Sequence, residues 1–308
     1  MNRASTLVRL PLAVLVLAAS VAASAQTAAI DAPVANSGTL DKVQRAGFIT
    51  LGYRESSVPF SFVSPRGEPI GYSIELCKAL VGAISDSVNK TLAIKWVPVT
   101  SASRIDAVVD GQVDLECGST TNNLDRQKRV AFSPTFFVSG TKLLVRRGSP
   151  VKSFRDLAGK RVAVTAGTTN EKAIRDLSEK FKLGIDLVVS KDHADSFALV
   201  VAGKADAFAT DDVLLYGQIA ENKSRGDTDY QVIGDFLSYD PYGVMYRKGD
   251  PQLAAVVNDT FHALAEDGEI ERQYERWFLR KLPSGTSLEL PMSAQLETII
   301  QAMGAKPE

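Results

Sequence analysis

A pattern that occurs twice in the sequence constrains the fold more than any other feature. Its three positions have the same spacing in both copies, Gly111, Asp114 and Ser119 in the first and Gly203, Asp206 and Asp211 in the second. In each copy an apolar helical run precedes the glycine, and an apolar strand then leads into a polar turn. Polar turns at the carboxyl ends of strands are where α/β folds bind ligands. The repeat therefore predicts two similar α/β lobes that face one cleft.

The composition is that of an ordinary globular protein with enough length for two domains. The chain has 308 residues, of which 45% are hydrophobic and 23% are charged. The formal net charge is -1 with both signs interspersed, so a nucleic acid is not a predicted partner. Two cysteines and two histidines, widely scattered, make a poor zinc site. No nucleophile stands beside a base and no Walker-type loop occurs, so we predict a binding protein without a metal, a cofactor or a catalytic residue.

The first 25 residues predict a secretory signal peptide. Arg3 and Arg9 form its basic region, residues 10–19 its apolar region, and Ala23-Ser24-Ala25 its cleavage site. We expect the mature chain to begin at Gln26 after export. An N-terminal membrane anchor is the alternative, which the shortness of the apolar run disfavours.

Export to an oxidising compartment leaves two states open for the cysteines. Cys77 and Cys117 either form a disulfide or remain two buried thiols, and their separation in the fold decides between these states. The sequence favours neither state.

The order of the predicted helices and strands divides the chain into six segments. We expect it to cross between the lobes at the apolar strand Thr141–Arg146 and to return at Tyr242–Tyr246. The segments are the signal peptide (1–25), a flexible lead-in (26–38), the first part of lobe 1 (39–140), lobe 2 (141–237), the return to lobe 1 with its C-terminal helices (238–287) and a peripheral tail (288–308).

Two arginines occupy positions where a positive charge does not stabilise the local structure. Arg54 stands in a small, apolar turn after a strand, and Arg104 opens a helix, where a cation opposes the helix dipole. Guanidinium groups form planar bidentate pairs with carboxylates, so both positions favour a ligand that carries carboxylates. A surface or structural salt bridge is the equally weighted alternative for each arginine.

A third strand end also favours an anion. Gly167, Thr168 and Thr169 lie at a predicted helix N-terminus, where backbone N–H groups point outward. As an isolated signal this is weak, because the same residues are common helix caps. The charged run Asp125–Arg129, by contrast, is interpreted as a solvated face.

Other residues at the strand ends suit the remaining parts of a small zwitterion. Asp211 ends an apolar strand and needs a cation, and with the hydroxyls of Ser119 and Thr121 it is suited to an ammonium group. His193 is a candidate hydrogen-bond donor, with a capping or exposed histidine as the equal alternative. Tyr72 is a candidate cover for the apolar stem of the ligand, although such a residue is more often part of a core. Together with two arginines, this inventory fits an amino acid with an extra carboxylate.

At these residues the sequence resembles the periplasmic glutamate/aspartate-binding proteins of ABC importers, which are extracellular solute-binding proteins for polar amino acids. The resemblance covers residues 39–278, nearly all of the expected mature chain. It is carried by five segments: Arg54–Phe60, Glu116–Asn123, Gly167–Thr169, Lys191–His193 with Asp195–Phe197, and Asp211–Asp212.

The resemblance implies a periplasmic-binding-protein fold of type II, with two α/β lobes, two crossover hinge strands and a ligand in the interlobe cleft. It also implies that the closed complex is presented to the membrane permease of an ABC transporter. We expect the protein to be a monomer. The implied roles are the side-chain carboxylate for Arg54, His193 and Ser101, the α-carboxylate for Arg104 and Thr169, and the α-amino group for Ser119, Thr121 and Asp211.

Two departures from the family limit what the resemblance implies. Ala166 stands where family members often have a hydroxyl, and Ser73 stands where many wider relatives have an acidic residue. The balance between glutamate and aspartate therefore stays open. Three alternative functions are compatible with the same scaffold: a dehydratase-like enzyme, a sensory module for a membrane receptor, and a receptor for a neutral amino acid such as glutamine. The two arginines disfavour the neutral ligand.

Overall fold

The structure, a computed structural model, describes residues 38–224, 226 and 228–305. The predicted signal peptide, its cleavage site and the lead-in up to residue 37 lie outside the described residues. Among the described helices, none combines the length and the apolar composition that crossing a bilayer requires.

Fifteen strands occur in the described part of the chain. In chain order they are β1 (Phe48–Tyr53), β2 (Ser56–Ser57), β3 (Ser61–Val63), β4 (Pro69–Ile70), β5 (Ala93–Pro98), β6 (Leu115–Glu116), β7 (Val130–Phe132), β8 (Phe137–Ser139), β9 (Thr141–Arg146), β10 (Arg161–Thr165), β11 (Asp186–Ser190), β12 (Ala207–Asp211), β13 (Tyr230–Ile233), β14 (Asp240–Tyr242) and β15 (Met245–Arg247).

Ten α-helices alternate with these strands within the described residues. They are α1 (Thr39–Ala46), α2 (Tyr72–Ser87), α3 (Arg104–Val109), α4 (Leu124–Gln127), α5 (Thr169–Phe181), α6 (His193–Val201), α7 (Asp212–Ser224), α8 (Pro251–Glu266), α9 (Glu269–Tyr274) and α10 (Ala294–Gly304). Local sequence explains several of their ends. Asp250 caps α8 by accepting from the Leu253 N–H at 3.1 Å, with Pro251 at the first helical position, and α1 ends at the left-handed Gly47.

Two five-stranded sheets form the centres of two lobes. In the first lobe the strand order is β5-β1-β6-β15-β7, with β1 parallel to β5 and β6, and β15 antiparallel to β6 and β7. In the second lobe the order is β11-β10-β12-β9-β13, with β10 parallel to β11 and β12, and β9 antiparallel to β12 and β13. The two sheets therefore share one topology, with an antiparallel strand in the same relative place.

The central strands read as continuous apolar runs because helices cover both faces of each sheet. Four successive residues of β1 and all five of β12 are buried. A large apolar cluster fills the first lobe, and two smaller clusters lie on the two faces of the second sheet. The strand ends are thereby held on rigid elements.

The crossing between the lobes lies just before the predicted strand. Thr141–Arg146 is β9, an interior strand of the second sheet, so its assignment as the first crossing was wrong. The crossing segments are instead β8 and β14, which pair antiparallel with each other outside both large sheets. An apolar strand has the same sequence pattern in a sheet and in a crossing segment, and the partner that distinguishes the two roles is distant in sequence, as β14 is from β8.

The segment predicted as a peripheral tail contains a helix that packs on the first lobe. Leu296, Ile300 and Met303 lie on one face of α10 and are buried against α8. The carbonyl of Met303 lies 2.5 Å from the ring Nδ1 of His262 on α8. The spacing of these three apolar residues is typical of one face of a helix.

Candidate ligand-binding cleft

The repeated pattern builds the same local structure in both lobes. Asp114 accepts a hydrogen bond from the Thr50 N–H of β1, and Asp206 accepts one from the Arg161 N–H of β10, each at 2.9 Å. Each aspartate also pairs with a cation, Lys42 at 2.7 Å or Arg161 at 2.8 Å. These bonds fix β6 and β12 beside the first strand of their lobe. The residues that follow each strand are thereby directed into the cleft.

The lobes contact each other at the strand-end turns. The hydroxyl oxygens of Thr121 and Thr169 are 3.4 Å apart, and the Arg126 guanidinium donates to the Gly167 carbonyl at 3.4 Å. A Cβ at Gly167 would lie 2.6 Å from the Cα of Ala102, so the two backbones approach closely only because residue 167 is glycine.

A second contact between the lobes involves the segment after β1. The Gln218 side chain donates to the Ser56 carbonyl at 2.9 Å, and the Ala194 N–H donates to the Ser56 hydroxyl at 3.4 Å. A Cβ at Gly217 would lie 2.2 Å from the carbonyl oxygen of Val58. The lobes are therefore closed on each other at two separate places.

Arg54 and Arg104 are both buried between the lobes, at 1% and 3% exposure. Within the described residues, both terminal nitrogens of Arg54 and the Nε and Nη1 of Arg104 have no hydrogen-bond partner. Burial and the Arg104 charge lower the pKa of Arg54 to about 10, while Glu116 acts in the opposite direction. Burial also lowers the pKa of Arg104, again opposed by Glu116. A buried guanidinium without a partner is costly, so these groups are arranged for an anion.

Two hydroxyls predicted for the site are buried with the arginines. Ser101 is 2% exposed and Ser119 is 4% exposed, and in the described part of the chain neither hydroxyl has a hydrogen-bond partner. Gly118 precedes Ser119 and leaves room for its neighbours, because a Cβ there would lie 2.3 Å from the Glu116 carboxylate and 3.0 Å from Arg54. The turn is therefore closely packed around hydroxyl groups that have no hydrogen-bond partner within the described residues.

His193 lies at the start of α6 and is buried. Its Nδ1 is 2.9 Å from the Thr165 hydroxyl, which also contacts Ser196 at 2.8 Å. Burial and the charges of Arg54 and Arg104 lower the pKa of His193 well below its ordinary value. The imidazole is therefore neutral at physiological pH, and it adds no charge to the cleft.

Asp211, at the end of β12, is the buried carboxylate of the second lobe. It accepts hydrogen bonds from the Asn170 amide at 2.8 Å and from the Tyr242 hydroxyl. Burial and the nearby Asp240 raise its pKa, while the two hydrogen bonds act in the opposite direction. Stabilisation of its charge by an ammonium group would offset the cost of burial.

The predicted anion site at Gly167–Thr169 needs a correction. The Gly167 N–H donates to Glu171 at 2.9 Å, and the Thr168 hydroxyl accepts from the Glu171 N–H at 3.1 Å. These two residues therefore start helix α5 as a local cap, which competes with the predicted ligand contact. Of the three residues, Thr169 is the one whose hydroxyl lies against the other lobe.

Tyr72 also differs from its predicted role. The ring contacts Phe60, Phe136 and Phe278, with centroid distances of 5.3–6.1 Å. Its hydroxyl donates to the Phe136 carbonyl at 3.3 Å. Tyr72 is thus part of the core of the first lobe, where its apolar ring and its satisfied hydroxyl are both accommodated, and it does not cover a ligand.

The two cysteines form a disulfide. Cys77 on α2 and Cys117 after β6 are bonded, with their Cα atoms 6.1 Å apart. The question that the sequence left open is thereby answered. The bond attaches helix α2 to the turn that carries Ser119 and Thr121.

Arg126 is a site residue that sequence reasoning missed. It belongs to the charged run that was interpreted as a solvated face, but it is 8% exposed and donates to the Thr121 carbonyl at 2.9 Å. Burial and Arg104 lower its pKa to about 9. The neighbouring Asp125 and Lys128 pair with each other on the surface, as expected. The available signal was Asn123, whose helix cap orients the first turn of α4.

Three further groups of the cleft, Glu116, Asn170 and Tyr242, were missed. Glu116 is fully buried beside the arginines, and one of its oxygens accepts from the Thr120 hydroxyl at 2.5 Å. Asn170 and Tyr242 hold Asp211 from positions 41 and 31 residues away. No local pattern distinguishes such residues from ordinary core positions.

The cleft keeps its positive charges in the first lobe. Three buried guanidinium groups, those of Arg54, Arg104 and Arg126, lie there with the carboxyl of Glu116, while Asp211 lies in the second lobe with Asp240 and Asp212 nearby, and His193 is neutral. Fold and site together define a two-lobed α/β protein with a buried cleft whose unpaired arginines suit a small acidic ligand.

Comparison with known proteins identifies the family. The chain belongs to the bacterial extracellular solute-binding proteins, family 3, whose model matches residues 49–280. It is 41% identical to the glutamate/aspartate import solute-binding protein of Salmonella typhimurium, over 89% of this chain and 91% of that protein. It is 42% identical to the L-glutamate/L-aspartate-binding protein of Pseudomonas aeruginosa, over 85% and 87%.

Solved structures agree on the fold. A mutant of the arginine-binding protein ArgBP from T. maritima superimposes with a TM-score of 0.69 at 27% identity, covering 78% of this chain and 99% of that one. The expected family and the expected two-lobed binding-protein fold are therefore confirmed, and the named relatives are binding proteins rather than enzymes.

Proposed function

We propose that this protein is a periplasmic receptor that binds L-glutamate and L-aspartate by closure of its lobes and delivers them to the permease of an ABC transporter. The observation that carries the proposal is the pair of buried arginines, Arg54 and Arg104, each of which has two guanidinium nitrogens without a partner among the described residues. The names of the glutamate/aspartate-binding relatives support the same ligand class.

The proposed contacts divide the ligand among the two lobes. Arg54, with His193 and Ser101, holds the side-chain carboxylate, since a neutral imidazole that accepts from Thr165 at Nδ1 has a donor at Nε2. Arg104 and Thr169 hold the α-carboxylate, and Arg126 adds a third buried cation at the same turn.

The α-amino group is assigned to hydroxyls of one lobe and a carboxylate of the other. Ser119 and Thr121 supply the hydroxyls, and Asp211 supplies the charge. Because the ligand then bridges both lobes, it favours the closed form in proportion to its greater affinity for that form.

Calorimetric titration of the refolded, ligand-free mature chain tests the ligand class. We expect tight binding of L-glutamate and L-aspartate and weak binding of L-glutamine and L-asparagine, because an amide leaves a buried guanidinium without its carboxylate. Equal binding of acids and amides would reject the proposed role of Arg54. Absence of binding to all four would reject the proposed function.

The transport role and the cellular location need separate measurements. Uptake of radiolabelled L-glutamate should fall when the gene is deleted, whereas a purely sensory module would leave uptake unchanged. N-terminal sequencing of the exported protein should begin at Gln26, and gel filtration should give the mass of a monomer. A retained N-terminus would indicate the membrane-anchor alternative.

A further inference from the structure

Tyr242 occupies a position that no part of the proposed function uses. It is the last residue of β14, one of the two segments that connect the lobes, and its side chain is fully buried. Its ring packs edge-on against Phe60 at 5.1 Å and lies 5.7 Å from Phe137 on the paired strand β8. The residue is therefore held in one orientation at the hinge.

The main chain around Tyr242 holds the ligand-facing turn of the first lobe. Tyr242 forms an antiparallel bridge with Thr121. The Asn122 N–H donates to the Pro241 carbonyl at 2.7 Å, and the Gly243 N–H donates to the Thr120 carbonyl at 3.2 Å. Thr121 therefore takes its position from the backbone of the hinge.

The side chain of Tyr242 holds the acidic residue of the second lobe. Its hydroxyl donates to one oxygen of Asp211, while Asn170 donates to the other. Burial and Asp211 raise the pKa of Tyr242 well above its ordinary value, so the hydroxyl keeps its proton and remains a donor. The carboxylate is thus fixed by a residue of the hinge and by a residue of its own lobe.

We propose that Tyr242 is the positioning residue of the α-ammonium site. The main chain of its neighbours Pro241 and Gly243 places the turn that carries Thr121 from the first lobe, and its own hydroxyl places Asp211 from the second, so the hinge at Tyr242 aligns the two halves of that subsite. The inference rests on the proposed function, because it assumes that these residues bind the amino group. The role is one of alignment, since Tyr242 itself acts through Thr121 and Asp211.

The variant Tyr242→Phe tests the role, because it keeps the ring in the aromatic core and removes only the hydroxyl. We expect the affinity for L-glutamate to fall about tenfold, in line with the loss of a hydrogen bond to a charged group. The matched control is Tyr274→Phe, a tyrosine of the same aromatic cluster whose hydroxyl donates to the Leu290 carbonyl. That control should bind L-glutamate within about twofold of the unaltered chain.

A double-mutant cycle separates alignment of Asp211 from a general loss of structure. In the background Asp211→Asn, the further change Tyr242→Phe should alter the affinity for L-glutamate by less than about twofold. An undiminished tenfold loss in that background would overturn the inference, as would equal affinities for Tyr242→Phe and the control. Circular dichroism of each variant establishes that it is folded.

The pH dependence of the affinity for L-glutamate should change in the Tyr242→Phe variant only if the hydroxyl acts on Asp211. A purely structural role of Tyr242 would leave that pH dependence unchanged. The Tyr242 hydrogen bond lowers the pKa of Asp211, so its removal should move the acid limb of the affinity profile to higher pH. The other charged groups near Asp211 are Arg104, Arg126, Asp212 and Asp240, and all of them are retained in the variant. An acid limb unchanged by Tyr242→Phe would overturn the inference while leaving the proposed function intact. Failure of the unaltered chain to bind L-glutamate would overturn both.

Discussion

The two lobes use the same strand-end scaffold and give it opposite chemical character. In each lobe an aspartate at the same place in the pattern accepts the N–H of the first strand, Asp114 from Thr50 and Asp206 from Arg161. Five residues later the sequences differ: the first copy has the hydroxyl of Ser119, and the second has the carboxylate of Asp211. The comparison shows that the residues that set the fold and those that suit a ligand are separate parts of one motif.

The lobes also differ in how the strand end is held in place. The first lobe supplies all three buried arginines of the cleft, and the disulfide of Cys77 and Cys117 attaches its turn to α2. The second lobe holds Asp211 by hydrogen bonds from Asn170 and Tyr242. Four changes would break or sharpen this contrast.

Removing a charge of the first lobe should have the largest effect. Arg54→Met should weaken L-glutamate binding by about 2–5 kcal/mol, because the ligand carboxylate would be buried without its cation. The same change should raise the free energy of unfolding of the ligand-free chain by about 1 kcal/mol or more, since Arg104 repels the buried guanidinium. Calorimetric titration and urea unfolding measure the two effects. A change in affinity of less than a few-fold would remove Arg54 from the site.

Loss of the disulfide should be the next largest effect. The bond closes a loop between residues 40 positions apart, so the double variant Cys77→Ala with Cys117→Ala should lower the free energy of unfolding by about 2–4 kcal/mol. Urea unfolding of the ligand-free chain measures the difference. Equal stability with and without the bond would mean that hydrogen bonds alone hold the first strand end, as they do the second.

Asp114 and Asp206 accept equivalent backbone hydrogen bonds, but replacing them should lower the free energy of unfolding by different amounts. Asp114→Ala should destabilise by about 2 kcal/mol, because Asp114 is buried and the Thr50 N–H would lose its side-chain partner. Asp206→Ala should cost about 1 kcal/mol or less, because its carboxylate is partly exposed and water can replace it. Chemical unfolding of both variants, with the asparagine substitutions as controls, tests the ranking. A reversed order would show that the two copies are not structurally equivalent.

The smallest expected effect concerns the charge of the second lobe. Burial and Asp240 raise the pKa of Asp211 from 3.8 to about 7, so the folded chain binds this proton more tightly than the unfolded chain. The resulting stability is complete below the unfolded pKa and is lost as the pH rises through the folded pKa. Asp211→Asn should therefore be more stable than the unaltered, ligand-free chain by about 1 kcal/mol or more at about pH 8, and equal to it at about pH 4.

Thermal or urea unfolding across that pH range provides the measurement. If the two chains keep the same difference at both pH values, Asp211 does not carry the proton linkage. The contrast between a cationic first lobe and an acidic second lobe would then need another residue.

The sequence predicted the two lobes because the evidence for them is local and repeated. Gly111 and Gly203, with the aspartates three positions later, mark equivalent turns whatever the rest of the chain does. Arg54, Arg104 and Asp211 were predicted for a related reason: a charge beside an apolar run, or a cation at a helix N-terminus, conflicts with local stability, and such conflicts often indicate a site.

The residues that escaped prediction depend on contacts between distant parts of the chain. Arg126 is buried against the second lobe, which its own segment does not reveal. Because its neighbours in sequence are charged, the segment has the pattern of a solvated turn. Tyr72 shows the converse, because it was a candidate ligand contact while helix α2 places it in the core, which is the commoner position for such a residue. The crossing at β8 and β14 was misplaced because strand pairing fixes it and sequence periodicity does not.

The close approach of the lobes at Gly217 implies that a single methyl group would limit how far the cleft can shut. The backbone there has no left-handed requirement, so alanine is compatible with the helix itself, and the obstacle is the Val58 carbonyl of the opposite lobe. The obstacle lies between the lobes, and neither residue is among those proposed to touch the ligand. A side chain at residue 217 would therefore change how far the lobes close without changing the residues proposed to contact the ligand. Variants at this position would recognise the same solute but release it at different rates.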